Sequence, residues 1–343
     1  MALAAWAACC FAIALAGTWL ARRYALRAGM LDHPGEPRRI HAMATPRGGG
    51  IAIVAAVLPV FAMLCLGDAR AAPTLLPAGA GLLLVAGIGW WDDHRSLSVR
   101  LRLAVHAVAA ALLAWGLHAG GANDVVAACG FALALVLVNV WNFMDGIDGL
   151  AASQALVAAL AYALFAGTDA ATILWLGVAL AAGCAGFLPF NLPRARIFLG
   201  DAGSGALGYL LAMLAALSAL SLQPTVGALP LALLLPLPLL AFGVDASLTL
   251  VRRVLRGERW WEGHAQHAYQ VQARRWGHGR VAAGFLAWTV AASMCMIAAK
   301  RAPAPVMMFL TVAAVVLTCM AWKVLQAAGG ADGQAQPGRS SEA

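Results

Sequence analysis

The sequence predicts an all-α, polytopic membrane protein, and three observations carry that reading. Of 343 residues, 62% are apolar and only 11% are charged, where a soluble domain carries about 25% charge. Mean hydropathy is +0.81. Eleven apolar runs can be counted along the chain, each long enough to cross ~30 Å of hydrocarbon as a helix. This composition excludes a soluble enzyme, a disordered chain and a disulfide-rich secreted domain, because 38 charged residues cannot cover the surface of a soluble protein this long.

The runs fall near 2–21, 48–66, 74–91, 101–119, 124–141, 150–167, 170–190, 203–222, 227–250, 281–300 and 303–325. No positive segment precedes the first, and Arg22, Arg23 and Arg27 follow it. It therefore reads as an uncleaved anchor with its N-terminus outside. Ser98 supplies an N-cap ahead of 101–119. Very short turns join 124–141 to 150–167, and Pro236 with Pro238 should kink 227–250. The expected architecture is ten or eleven transmembrane helices in one domain over 1–325, with a disordered cytoplasmic tail over 326–343.

Alternating the spans assigns every loop to a side. One side receives 22–47, 92–100, 142–149, 191–202, 251–280 and the tail, and holds 20 of the 23 Lys and Arg residues. The positive-inside rule makes that side cytoplasmic and the N-terminus periplasmic. Asp92, Asp93, Asp145, Asp148, Asp201, Glu258 and Glu262 fall on the same face, with His264, His267 and His278. The net charge of +8 thus reads as topology, not as nucleic-acid binding. The seven cysteines all lie in apolar stretches without a CxxC pair, so they read as small buried hydrophobes.

Four cytoplasmic segments carry candidate chemistry. Adjacent carboxylates at Asp92 and Asp93 repel each other, and at a membrane boundary they suit a cation or a proton-transfer task. Solvated acids beside a helix start are the simpler reading. In the first loop, Pro34, Pro37 and Pro46 impose a rigid, non-helical path. Its Arg38, Arg39, His41 and Arg47 could meet a phosphate, or equally anionic headgroups. In Asn139-Val-Trp-Asn142-Phe-Met-Asp145-Gly146-Ile-Asp148-Gly149, a spacing of three would set successive polar residues beside one another on a helix. Their oxygens suit a hard cation such as Mg²⁺, although Asp and Gly are also ordinary capping residues.

Asn191-Leu-Pro193-Arg194-Ala-Arg196 leads into Gly200-Asp201-Ala-Gly203-Ser204. Guanidinium groups, a lone carboxylate and a Gly/Ser turn opening a helix are tools for holding phosphate. No Walker A pattern is present, and the glycines alone could be packing positions. The longest loop carries His264 and His267 beside Tyr269, Arg274 and Arg275. Without a Glu between the histidines a zinc-hydrolase pattern is not met, and an anion site fits better. A basic surface helix on lipid headgroups is the alternative.

Taken together, these motifs resemble the polyprenyl-phosphate N-acetylhexosamine-1-phosphate transferases of glycosyltransferase family 4. The match covers about 32–280: Asp32-x-Pro34 with Pro46-Arg47-Gly48-Gly49, Asp92-Asp93, Asn139 through Gly149, Gly200-Asp201-x-Gly203-Ser204, and the histidine loop. The resemblance implies a bacterial cytoplasmic membrane enzyme that joins a UDP-N-acetyl sugar to polyprenyl (undecaprenyl) phosphate. A lipid phosphate oxygen would attack the β-phosphorus and release UMP. It implies Mg²⁺, or Mn²⁺ in its place, on Asn142 and Asp201. Asp92, Asp93, Asp145 and Asp148 would be catalytic, with Asn139, Arg194, Arg196, His264, His267 and Arg47 binding substrate. A homodimer is compatible with the resemblance.

Two departures refine the expectation. Arg102-Leu-Ala-Val-His106 stands where the family often has Lys-Leu-x-x-Gln, and the late loop reads His-x-x-His-x-Tyr-Gln without consecutive histidines. The latter favours the subgroup that initiates O-antigen or other surface glycans over the muramyl-pentapeptide enzyme. The rival from another class is a secondary transporter or flippase for an anionic or lipid-linked substrate, for which Asp245, deep in 227–250, is the one suggestive residue. A CDP-alcohol phosphotransferase lacks support, because Leu-Ala-Ala-Ser follows Asp148-Gly149.

Overall fold

The computed structural model describes residues 2–33, 43–222, 234–259 and 263–333. Arg38, Arg39, His41, Glu262 and the first part of the 227–250 run lie outside the described residues, as does the tail beyond Gly333. The rest is helical apart from one antiparallel bridge, in which Leu31–Asp32 pairs with Thr45–Pro46.

In chain order the helices are α1 (Ala2–Ala28), α2 (Ile51–Gly67), α3 (Ala72–His94), α4 (Val99–Ala119), α5 (Asp124–Met144) and α6 (Leu150–Ala166). They continue as α7 (Ala171–Asn191), α8 (Gly200–Leu222), α9 (Leu240–Leu255), α10 (Ala268–Trp276), α11 (His278–Ala299) and α12 (Ala304–Gly333). Eight of these, α1, α3, α4, α5, α7, α8, α11 and α12, are long and apolar enough to cross a membrane. Helices α2 and α6 have 17 residues each, about 25 Å at 1.5 Å per residue, the lower limit for a span. The protein is a multi-pass, all-α membrane protein.

Three boundaries differ from the hydropathy reading. Pro236 and Pro238 place a 3₁₀ turn, Leu237–Leu239, before α9, so the expected kink becomes a break in the helix. Helix α12 continues past residue 325 to Gly333, into the stretch read as tail. A short helix, α10, occupies part of the long cytoplasmic loop.

Helix α8 is the centre of the bundle. It packs on α3, α5 and α6, and 78% of its apolar window is buried. Its small residues allow this. A Cβ added at Gly208 would stand 2.2 Å from the Leu137 carbonyl oxygen of α5, and one at Gly203 would stand 2.6 Å from the Gly50 Cα. Close backbone approach through small residues is how membrane helices gain dispersion contacts in a solvent as apolar as their own side chains. Helices α11 and α12 show the opposite pattern, with only 28% and 17% of their windows buried.

The chain entering α8 is fixed before the helix begins. Phe198 N–H donates to the Pro46 carbonyl, while Gly49 and Gly50 N–H groups donate to the Phe198 and Leu199 carbonyls at 2.9 and 2.8 Å. Gly200 then turns with φ +77°, a conformation that favours glycine. All seven cysteines are free; Cys10 and Cys184 are buried as expected, whereas Cys9 and Cys129 are exposed and Cys65, Cys295 and Cys319 are half-buried, because their helices present those faces outward.

Candidate active site at the start of helix α8

The ends of α3, α4, α5 and α8 converge on one cluster. Asp92 and Asp93 occupy the last turn of α3, and the two side chains have separate partners. Asp93 is 2% exposed; its two carboxylate oxygens accept the backbone N–H groups of Asp201 and Ala202 at 3.0 and 3.2 Å. It caps the N-terminus of α8, satisfying donors that a helix start leaves open. Arg47 Nε stands 3.9 Å from the same carboxylate.

Asp92 instead accepts the Leu97 N–H and an Arg102 N–H at 2.6 and 3.0 Å. The same Arg102 nitrogen donates to Asp201 at 3.1 Å, so one guanidinium from α4 joins two carboxylates of different helices. Asn142, near the end of α5, donates to the other Asp201 oxygen at 2.8 Å and to Ser204 Oγ at 3.2 Å. Ser98 caps α4 as expected, accepting the Leu101 N–H, which fixes the helix that carries Arg102.

The Asn139-to-Gly149 motif divides where α5 ends. Asn139 and Asn142 are helical, whereas Asp145 is the C-cap and Asp148 lies in the following turn. The expected helical row of four therefore does not form. Asn139 is half-buried and donates back to the Leu135 carbonyl. Asp148 pairs with His278 Nδ1 at 3.3 Å. Desolvation, reinforced by the negative charges of Asp93 and Asp148, pushes the Asp145 carboxyl up to about 7. Asn191, buried at the end of α7, pins this turn by accepting the Gly149 N–H at 2.7 Å and donating to the Ile197 carbonyl.

The two histidines do meet, though not on a helix. They lie in the loop leading to α10, with ring centroids 4.8 Å apart. His267 is buried and stacks on Phe143 and Tyr269, and Tyr269 donates from its hydroxyl to the Phe143 carbonyl at 3.0 Å. The histidine loop is thereby docked on the residue next to Asn142. Burial, aided by His267 and Arg253, pulls the His264 imidazole down to about 4. Desolvation and the nearby Asp245 and Asp145 raise the Tyr269 phenol well above its ordinary value.

Asp245 has a structural task that its depth in the sequence concealed. It accepts the Ala268 and Tyr269 N–H groups at 2.8 and 3.0 Å, along with Thr249 Oγ1 and Trp322 Nε1. It caps α10 as Asp93 caps α8. Helix α12 adds a strap from the far end of the chain. Gln326 donates to the Gln266 carbonyl at 2.8 Å and accepts from Arg252 at 2.9 Å, while Arg275 donates to the Ala328 carbonyl.

Arg194 and Arg196 are not brought to the cluster by any contact among the described residues. Both are exposed; Arg196 turns back to the Pro189 carbonyl and lies over the Phe190 ring. The sequence reading quoted Arg102, Ser204, Asn191, Tyr269 and His278 within its motifs but did not number them among the catalytic, substrate-binding or metal residues. Arg102 had a usable signal as a basic residue in the first turn of α4, 10 residues beyond Asp92, at the position that departs from the family pattern.

The helices that build the cluster coincide with a recognised segment. Residues 75–219 match the family model for glycosyl transferase family 4. Over that segment the chain is similar to glycosyl transferase family 4. It is 36% identical over 225 residues to the decaprenyl-phosphate N-acetylglucosaminephosphotransferase of Mycobacterium tuberculosis, covering 56% of this chain and 54% of that protein. It is 29% identical to the "Probable undecaprenyl-phosphate N-acetylglucosaminyl 1-phosphate transferase" of Bacillus subtilis, covering 69% and 68%. Against the phospho-N-acetylmuramoyl-pentapeptide-transferase of Trichormus variabilis it is 32% identical, covering 61% and 64%. The chain spans about half the length of the mycobacterial relatives it matches. Asp92, Asp93, Arg102, Asn142, Asp201 and Ser204 all lie inside the family 4 segment, whereas the histidine loop and α12 lie beyond it.

Proposed function

We propose that this protein is a membrane phosphotransferase that moves N-acetylhexosamine-1-phosphate from a UDP-sugar to polyprenyl phosphate, releasing UMP. One observation carries the reading: Asp92, Arg102, Asp201 and Asn142, from three motifs, meet at the start of α8 inside the family 4 segment. The relatives' names point to the same chemistry, a lipid phosphate as acceptor and an N-acetylated sugar phosphate as the transferred group. The charge bias supports a cytoplasmic site in a bacterial inner membrane, and the mycobacterial and Bacillus names support N-acetylglucosamine as the first sugar to test.

Phosphoryl transfer is mainly positioning and charge neutralisation. Asp92 and Asp201 share a single guanidinium partner, and Asn142 turns its amide nitrogen to Asp201; with that amide reversed, its oxygen would join the two carboxylates in a hard-oxygen donor set. That set fits Mg²⁺, with Mn²⁺ as a substitute. When bound, such an ion would neutralise charge developing on the diphosphate. Among the described residues no group of three His, Cys, Asp or Glu forms a metal cluster, so the amide of Asn142 is needed to complete the set.

The remaining roles follow from position. Asp93 orients Asp201 and the first amides of α8, and is a positioning residue. Arg102 holds the two carboxylates in register and offers its charge to an incoming phosphate oxygen. Asp145, half protonated near neutrality, can hold a proton at the edge of the site, while Asp148 acts through His278. His264 and His267, docked on Phe143, face the nucleotide-sugar. The acceptor needs little activation, because a phosphate monoester with a second pKa near ~6 is largely dianionic at pH 7. Its oxygen attacks the β-phosphorus, the bond from that phosphorus to the bridging oxygen breaks, and UMP departs with that oxygen.

The test is product analysis. Purified protein in detergent, given UDP-N-acetylglucosamine, Mg²⁺ and undecaprenyl phosphate, should yield UMP and a lipid whose mass is that of polyprenyl diphosphate N-acetylhexosamine. Failure with UDP-N-acetylglucosamine, UDP-N-acetylgalactosamine and UDP-MurNAc-pentapeptide alike refutes the proposal.

A further inference from the structure

We propose that Arg47 holds the phosphate of the membrane-borne acceptor, an assignment that rests on the transferase reading and gives the site an acceptor end at α3. Two guanidinium groups border the acid cluster, and they are not equally committed. Arg102 faces two carboxylates, with one nitrogen 3.0 Å from Asp92 and 3.1 Å from Asp201. Arg47 has Asp93 alone within ion-pair reach among the described residues, at 3.9 Å, beyond hydrogen-bonding distance. Both Asp93 oxygens are already taken by the Asp201 and Ala202 amides. The Arg47 side chain therefore makes no hydrogen bond among the described residues, and it is 32% exposed.

The backbone beneath it is fixed. Thr45–Pro46 pairs with Leu31–Asp32, and the Arg47 N–H donates to the Met30 carbonyl at 3.1 Å. The Pro46 carbonyl accepts the Phe198 N–H at 2.8 Å, and Gly49 and Gly50 continue the seam into the turn before α8. A guanidinium with its donors unspent is thus mounted on a rigid loop beside the start of α8. Its planar fork suits two oxygens of one phosphate.

Position decides which phosphate. Helix α4 packs on both α3 and α5. The histidine loop docks on Phe143 at the α5 end, whereas Arg47 stands at the α3 end beside Asp93. A Cβ added at Gly48 would stand 3.5 Å from the Trp90 ring and 3.8 Å from an Asp93 oxygen, so the residue after Arg47 borders both. Tyr24 of α1 stacks on Trp90 with centroids 5.7 Å apart. Its hydroxyl donates to His94 Nε2 at 2.9 Å, the imidazole being set by a bond from Nδ1 to the Trp90 carbonyl. Tyr24 is 46% exposed and Trp91 56%, and only 17% of the α1 window is buried. Exposed aromatic rings at the end of a lipid-facing helix mark the headgroup level. A phosphate carried on an isoprenoid lies at that level, while a nucleotide-sugar arrives from water at the histidine loop.

Separate binding of the two substrates tests the assignment. Full-length protein in a non-ionic detergent would be titrated with undecaprenyl phosphate, bound lipid being counted by native mass spectrometry, and with radiolabelled UDP-N-acetylglucosamine. Arg47→Gln breaks no hydrogen bond among the described residues. It should weaken undecaprenyl phosphate by about tenfold or more, leave UDP-N-acetylglucosamine binding unchanged, and raise KM for the acceptor alone. Arg47→Lys should recover part of the loss. Weakened nucleotide-sugar binding instead, or no change for either ligand, overturns the assignment. So does an equal loss for dioleoyl-phosphatidylglycerol titrated in parallel, which would make Arg47 a general headgroup contact. A wild-type protein that releases no UMP refutes the transferase reading, and the binding titrations judge Arg47 without it.

Discussion

The Asp93 carboxylate accepts the backbone N–H of Asp201 at 3.0 Å. Two acids from separate motifs are thus joined through a helix start, and the second member of the Asp92-Asp93 pair sets the position of the carboxylate on α8, which packs directly on α3. Asp92 then reaches the same Asp201 through Arg102. The pair is adjacent in sequence and divided in task, one acid holding backbone and the other facing the cluster.

That division predicts different failures for the two acids. Asp93→Ala removes the acceptor for two buried N–H groups, worth roughly 1–3 kcal/mol each when left unpaired, and should lower both Tm and activity. Asp93→Asn keeps one acceptor oxygen and should recover part of the stability. Asp92→Asn should leave Tm within a few degrees while lowering kcat. Equal Tm losses for the two acids, measured by thermal unfolding in one detergent, would contradict the assignment.

Asp201→Ala leaves the backbone cap of α8 in place and removes only the side chain shared by Arg102 and Asn142. Removing one group that stabilises developing charge costs roughly 10²–10³-fold in kcat. The variant should insert, fold and lose at least that much turnover. Near-normal turnover at saturating Mg²⁺ would take Asp201 out of the site.

The α12 strap predicts an effect far from the family 4 segment. Gln326→Leu breaks two side-chain hydrogen bonds to the α9–α10 region, each worth about 0.5–1.5 kcal/mol. The histidine loop should loosen, raising KM for the UDP-sugar several-fold with KM for polyprenyl phosphate unchanged. Parallel changes in both KM values, or none, would make the strap a purely structural contact.

His264 predicts a pH dependence of stability. Its folded pKa, about 4, lies below the ~6.5 of a free imidazole, so between these values the unfolded chain binds the proton and the native protein does not. Stability associated with the neutral ring is complete above about 6.5 and is lost as pH falls toward 4. The charged groups bearing on it are His267, Arg253, Glu258 and Asp245. Relative to His264→Gln, the wild-type protein should lose Tm progressively across that window; parallel Tm curves would contradict the shift.

The membrane fold, the common face of the acids and the start of α8 were legible because hydropathy, charge bias and a Gly-Asp turn are local signals. The bonds between motifs were not. Nothing near Asp245 in the chain announces that residues 268 and 269 lie over it, so its burial read as a transporter's deep acid, not as a helix cap. A spacing of three in Asn139, Asn142, Asp145 and Asp148 implied one helical face, yet Asp145 ends the helix, and Gly146 admits the Tyr269 hydroxyl where a Cβ would stand 2.2 Å from it. Arg194 and Arg196 had the right charge for phosphate, but Arg196 folds onto the end of α7. Charge and residue type select candidates, while tertiary contacts decide which of them converge.

The central claim is that the β-phosphate travels with the sugar. Incubating the purified protein with UDP-N-acetylglucosamine radiolabelled at the β-phosphate, polyprenyl phosphate and Mg²⁺, then partitioning between butanol and water, tests it directly. The account predicts that label enters the lipid phase in step with UMP release, and that Asp201→Ala abolishes both. Label appearing in the aqueous phase as UDP, with sugar alone on the lipid, would contradict it.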